Sequence, residues 1–237
     1  MKIFKLLLLF IFITAAASAQ NFLEPTESFS VKKDAYITLK DGKEVTGQFR
    51  KTKRKKGLFL TITIKDGKGD KVTYEADQIK HMYLPASGWD KFAKAYNNIY
   101  DATDWNDDSS LNQEYLKDGY AYFESVTTKI KKKTRVTLLQ VLNPAYCQKV
   151  RIYNNPWASE TASLGIGGFK VAGGDTKSFY VKAISQDKAF LLKKKNYKDE
   201  FKNFYGDCKS FMKKYKDMKW SEIEEHVFEH AKACNKA

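Results

Sequence analysis

The sequence predicts an α+β protein with a small β-barrel, a second antiparallel β region and a helical C-terminal tail. Three observations predict it. Residues 31–85 alternate apolar and polar side chains with period two, broken by Asp-Gly pairs. Residues 119–195 return to aromatic and β-branched composition after a helical interval. From Asn196 onward, apolar residues recur at three and four behind residues that cap helices.

The N-terminus reads as a leader. Lys2 and Lys5 form a short positive region, Leu6 to Ala16 an apolar run, and Ala17-Ser18-Ala19 a small-x-small cleavage site. The run falls short of the ~18 residues that span a bilayer. Residues 1–19 are therefore expected to be a secretory signal peptide, cut near Ala19-Gln20. No cysteine follows the cut, which argues against lipoprotein processing. The expected mature chain is exported, periplasmic or secreted, with no transmembrane span and with access to disulfide chemistry. Residues 20–30 read as an N-terminal arm.

Residues 31–86 read as the barrel. Ile37 and Leu39 alternate with Thr38 and Lys40, and Asp41-Gly42 supplies a hairpin turn. Val45, Gly47 and Phe49 continue one face. Leu58, Leu60, Ile62 and Ile64 alternate along the next strand, Asp66-Gly67 turns the chain, and Val72 and Tyr74 close the set. Strands this short bury one face only by curling up. The stretch ITLKDGKEVTGQF resembles the first two strands of SH3-like and Sm-like small barrels, with Gly42 at the turn and Gly47 on the second strand. The resemblance implies the barrel. The RNA-contacting segment of Sm proteins has no counterpart here, so RNA binding is not implied.

Residues 87–118 read as a helical connector, with Trp89, Phe92, Ala93, Tyr96, Ile99 and Tyr100 at helical spacing. An acidic stretch from Asp104 to Ser110 interrupts it, and Leu111 to Leu116 form another helical turn. Residues 119–195 read as the second antiparallel region. Tyr120–Val126 and Phe179–Ile184 are strands, and the apolar run Val136–Leu142 is a central one. A long loop, Asn154 to Gly168, carries Pro156 and Trp157. In the tail, residues 196–237, Asn196 and Asp207 can cap helices, and Ser221 with Glu224 has capping-box spacing. Taken whole, the chain resembles uncharacterised exported proteins of the Bacteroidota. The shared features are the leader, the LKDG…G segment, a GG hairpin, LLKKKNYKDEF…DC and a Cys-terminated helix. That resemblance implies export and this architecture, and no activity.

Lys and Arg number 42 against 28 Asp and Glu, for a formal net charge of +14, of which the leader carries Lys2 and Lys5. A positive surface favours acidic partners such as lipid headgroups, lipopolysaccharide phosphates or anionic glycans. Export excludes intracellular nucleic acid. The expected partner is an envelope protein or an anionic surface. The basic run Lys53-Arg54-Lys55-Lys56 is a candidate anion patch, with similar tips at Lys131–Lys133 and Lys193–Lys195, and Trp157 can stack on a sugar.

Three cysteines allow one bridge, and Cys208–Cys234 is the expected pair, leaving Cys147 as a buried thiol. The last helix contains His226-Val227-Phe228-Glu229-His230, the H-x-x-E-H pattern of one zinc peptidase class. Histidines four apart can grip one zinc, with the Glu as base. Those peptidases take a third ligand well downstream, and only seven residues follow His230. Ile223, Val227, Ala231 and Cys234 form one apolar stripe, placing His230 on its flank and His226 further out. The expectation is a packing helix with surface histidines, and at most a weak metal site at His226 and His230. Asp104, Asn106 and Asp108 have the opening spacing of a calcium loop, but Ser109 and Tyr115 replace its Gly and Glu, so they too are at most a weak site. Ser163–Lys177 reads as a Gly-Gly-Asp hairpin and not a phosphate loop. No catalytic constellation and no cofactor motif is found. The expected protein is a non-enzymatic envelope interaction or structural module. The alternative is a polyanion- or glycan-binding module, and a zinc metallopeptidase is remote.

Overall fold

The computed structural model describes residues 22–87, 111–130, 132–158, 164–166, 169–172 and 178–234. The expected leader, the first part of the expected helical connector, Asp104, Asn106, Asp108, Lys131 and the expected Gly173-Gly174-Asp175 turn lie outside the described residues. The first five strands are β1 (Asp34–Leu39), β2 (Glu44–Lys55), β3 (Leu58–Lys65), β4 (Lys71–Glu75) and β5 (Ile79–Pro85). Helix α1 (Gln113–Lys117) precedes β6 (Tyr120–Ile130) and β7 (Lys133–Gln140). Asn112 caps α1, its Oδ1 accepting from the Tyr115 N–H at 3.1 Å.

Strand order β2-β1-β5-β6-β7-β3, with β3 paired back to β2, makes a closed six-stranded antiparallel barrel. The barrel is therefore not complete within residues 31–86. Its last two strands come from the first part of the 119–195 region, and β4 pairs with β3 outside the ring. β3 divides one edge between partners: Thr61–Lys65 pair with β4, and Phe59 meets Leu138 of β7. Ala35, Ile37, Ile62, Ile64 and Met82 are fully buried. Gly47 lies opposite Ala35, and a Cβ there would meet the Lys65 carbonyl oxygen at 2.5 Å, so the β2–β3 approach requires glycine. Phe29 of the N-terminal arm sets its ring 5.4 Å from Phe49, 6.0 Å from Phe59 and 5.7 Å from Phe123.

The second sheet has order β12-β11-β8, from β8 (Val150–Tyr153), β11 (Ser178–Ala183) and β12 (Phe190–Lys193). β9 (Leu164–Ile166) and β10 (Phe169–Ala172) form a separate hairpin. Val141, just past β7, bridges to Tyr153, and Thr127 of β6 bridges to Lys188, so this sheet is tied to the barrel at two places. Asn143 shapes the link: its Nδ2 donates to the Val150 carbonyl at 2.8 Å and its Oδ1 accepts from the Ile152 N–H at 2.9 Å.

The tail folds as α2 (Tyr197–Tyr205), α3 (Lys209–Lys214) and α4 (Ile223–Cys234). Cys208 and Cys234 are paired as expected, with Cα atoms 6.0 Å apart, and Cys147 is a buried residue outside that bridge. The expected caps are used differently. Asn196 closes the preceding turn, its Oδ1 accepting from the Lys193 N–H at 2.7 Å. Asp207 faces His230 instead of capping α3, whose N-cap is Cys208. Ser221 lies inside a 3-10 turn, Trp220–Glu222, that runs into α4. Among the described residues no helix is long and apolar enough to cross a membrane.

Candidate functional site

The β2–β3 hairpin turns on Lys56 and Gly57, with φ of 50° and 75°. Lys55 pairs with Leu58, so this is a two-residue loop with both central residues left-handed, the geometry that matches strand twist. Gly57 has a second reason to lack a side chain. A Cβ there would lie 2.3 Å from Pro156 Cβ. The bare tip thus seats against the long loop, and Lys56 comes to rest beside Trp157, Nζ 4.7 Å from the ring centroid. Asn155 holds that loop: its Oδ1 accepts from the Trp157 N–H at 3.2 Å and its Nδ2 donates to Ser178 Oγ at 2.9 Å. The indole itself is 64% exposed.

Ser178 pairs with Lys193 across β11 and β12. The turn closed by Asn196 then presents Lys193, Lys194 and Lys195 on the same side, joined by Lys129 from the end of β6. The result is a cleft of about 570 Å³ lined by five lysines, Trp157, Asn155 and Ser178, with Ile130, Tyr180 and Leu191 as its apolar part. No carboxylate lines it among the described residues. Two of the three expected basic tips, at Lys56 and at Lys193–Lys195, therefore meet at one cleft, and Lys132 and Lys133 do not line it.

The expected patch Lys53-Arg54-Lys55-Lys56 is divided. Lys56 belongs to the lysine cleft. Arg54 lies over the Phe59 ring, Cζ 4.4 Å from its centroid, and lines a second, larger cavity of about 900 Å³. That cavity also receives Phe22, Phe179, Trp220 and Glu224, and Asn155 stands on the wall between the two.

The HVFEH run is corrected in two respects. His226 and His230 are not surface residues; they are 0% and 1% exposed. A wheel that marks one apolar stripe misses them because α4 is packed on a wide arc, with Ile223, His226, Val227, Phe228, His230, Ala231 and Cys234 all buried. His226 lies within an aromatic box, ring centroids 5.3 Å from Phe201 and 4.9 Å from Tyr215, and its Nδ1 is 2.6 Å from the Tyr197 hydroxyl. Nor do the three polar residues converge. Glu229 points outward to Lys214 Nζ at 2.7 Å, and His230 Nε2 faces Asp207 Oδ1 at 2.9 Å. His230 has two other near neighbours, since one of its ring nitrogens and the sulfurs of Cys208 and Cys234 all lie within 4.8 Å of one another.

Burial lowers the pKa of His226, with Glu222 opposing, and lowers that of His230, with Asp207 opposing. Burial and then Lys80 lower that of His81. Each folded-state value lies below the unfolded one, so below about pH 6.5 the unfolded chain binds more protons than the folded one. Stability is then lost as pH falls through that range and is complete above it. Urea unfolding from pH 7.5 to 5 should show a falling midpoint, with a shallower fall in His226→Gln. A midpoint flat across that range in the native protein contradicts this.

Sequence reasoning passed over one further group, a buried ionic cluster where the barrel meets the second sheet. Glu124 of β6 is 5% exposed. It accepts hydrogen bonds from Arg151 and from the Tyr153 hydroxyl, both of β8, and Lys182 Nζ of β11 stands 3.8 Å away. Burial opposes the charge on Arg151, but Glu124, Cys147, Tyr122 and Tyr153 together outweigh it, and the net direction is upward. Burial and Glu124 together hold Tyr153 protonated. The available hint was one carboxylate inside the otherwise apolar, aromatic run Tyr120–Val126. Comparison with protein-family models, curated proteins and solved structures gives no match to this chain.

Proposed function

We propose that the protein is an exported, non-enzymatic binding module whose lysine cleft docks an anionic glycan. The observation that carries this reading is the meeting of Lys56, Lys129 and Lys193–Lys195 around an exposed Trp157, with no carboxylate beside them among the described residues. Lysines supply long-range attraction and sliding contact to sulfate, phosphate or carboxylate groups. An exposed indole supplies a flat apolar face for a sugar ring, and Lys56 Nζ lies 4.7 Å from its ring centroid. The leader and the paired cysteines fit the same reading, since anionic glycans of this kind are met outside the cytoplasm. Binding of a protein partner at the same face is the competing outcome.

Heparin-agarose retention is the direct test. The protein should bind at low salt and elute as salt screens the lysines. Lys194→Glu with Lys195→Glu should weaken binding at least tenfold, taking about 1 kcal/mol for each lysine near an anionic surface. Trp157→Ala should weaken binding to a sulfated or phosphorylated oligosaccharide more than to inorganic polyphosphate. A charge-matched control, Lys213→Glu with Lys216→Glu on the exposed side of the tail, should elute later than the cleft variant. Absent retention, salt-insensitive retention, or equal loss in the control excludes the cleft as the binding site.

A further inference from the structure

The corner of the tail that carries the disulfide also carries a histidine with one buried ring nitrogen left without a hydrogen-bond partner. His230 Nε2 is 2.9 Å from Asp207 Oδ1, so a neutral His230 donates its Nε2–H to that carboxylate. The lone pair is then on Nδ1. That atom is buried and has no hydrogen-bond partner. A buried acceptor with nothing to accept is costly and uncommon. Its neighbours are the two sulfurs, and a ring nitrogen of His230 with Cys208 Sγ and Cys234 Sγ forms a group in which every ligand atom is within 4.8 Å of the others. All three residues are buried. A carboxylate on the far nitrogen of a histidine is what orients and strengthens an imidazole that binds a metal. His226 has no part in the group, because its Nδ1 is engaged with Tyr197.

We propose that reduction of Cys208–Cys234 turns this corner into a metal site for Zn²⁺ or a cation of similar softness. Two thiolates and His230 Nδ1 are the protein ligands, Asp207 is the positioning carboxylate, and solvent takes the fourth position. While the disulfide is closed the sulfurs carry no negative charge to offer, so bridge and metal are alternatives. A dithiol reductant opens the bridge by giving up two hydrogens, which become the two S–H groups, as its own sulfurs pair. The metal then displaces two protons, one from each thiol. The same helix ends are held together in both states, by a covalent bond in one and by the cation in the other.

The test uses the mature chain carrying Cys147→Ser, so that the third thiol does not compete. A phosphine opens the bridge under anaerobic conditions, two hydrogens of one water passing to the sulfurs as its oxygen passes to phosphorus. Co²⁺ alone is then titrated as the probe. One cobalt per chain should bind with a thiolate-to-cobalt charge-transfer band, and Zn²⁺ should displace it, while the oxidised chain gives no band. Asp207→Asn should weaken binding about 10–100-fold. His230→Ala should weaken it further, and His226→Gln should leave it unchanged. Far-UV circular dichroism accompanies each titration. A reduced chain that keeps its helices and shows no band overturns the proposal. So does a reduced chain that loses its helices and does not regain them with cobalt, and so does a band of full strength in His230→Ala.

Discussion

Glu124→Ala is expected to destabilise the protein by about 3–5 kcal/mol, the range for breaking a buried ion pair from one side. The carboxylate is the shared acceptor of Arg151 and the Tyr153 hydroxyl, with Lys182 close by. Removing it takes the Glu124 charge away from a guanidinium whose side chain is 15% exposed and an ammonium whose side chain is 19% exposed. Tyr153 is fully buried and loses its acceptor at the same time. The two sheets meet at this point, so the loss is not confined to one strand. Chemical denaturation reads the cost directly. A second variant separates the penalty of an orphaned charge from the worth of the cluster. Glu124→Leu with Arg151→Met and Lys182→Met removes every charge while keeping volume, and it should recover most of the lost stability. A cost below about 1 kcal/mol for Glu124→Ala would place the cluster among solvated surface pairs.

The barrel's first hairpin was legible because everything that specifies it is local. Period-two alternation from Asp34 to Phe49, the Asp41-Gly42 turn and the small residue at Gly47 all lie within one short stretch. Its closure was not legible. β7 reaches β3 through Phe59 and Leu138, nearly eighty positions apart, and no periodicity states which strand a buried apolar run will join. The helical tail and its bridge followed from spacing and caps. The capping residues were right in kind and displaced in use, since Asn196 and Asp207 found nearer or deeper partners than the helix ends expected for them.

The site follows the same division. Each lysine run could be read as a hairpin tip, but the meeting of Lys56 with Lys193–Lys195 rests on two contacts that a sequence does not announce: Gly57 against Pro156, and Ser178 between Asn155 and Lys193. Arg54 left the expected patch because it lies over Phe59. The histidines illustrate a more general limit. A helical wheel assigns one face to the core, and a helix held between an aromatic cluster and a neighbouring sheet has two such faces. His226 meets Tyr197 and Phe201 from α2, while Phe228 of the same helix meets Tyr146 beyond β7. Polar residues on the second face are then buried and must find partners, and Tyr197 and Asp207 are those partners.

Loss of the Cys208–Cys234 bridge is expected to cost ~3.5 kcal/mol, from the closure entropy of a loop with a sequence separation of 26. Cys208→Ala with Cys234→Ala removes the bridge together with any metal-binding capacity, so it measures the covalent constraint alone. The loss should be local first. The six barrel strands close without the tail, whereas α3 is only six residues long and depends on Phe211 packing among Phe201, Tyr205 and Tyr215. Hydrogen exchange should therefore show α3 and the end of α4 opening well before β1, β5 and β6. Uniform loss of protection across barrel and tail would instead mean that the bridge supports one cooperative unit. Reduced native chain without metal should match the double-alanine variant in stability. If zinc then restores stability to the reduced native chain and leaves the alanine variant unmoved, bridge and cation perform the same mechanical task at the same two residues.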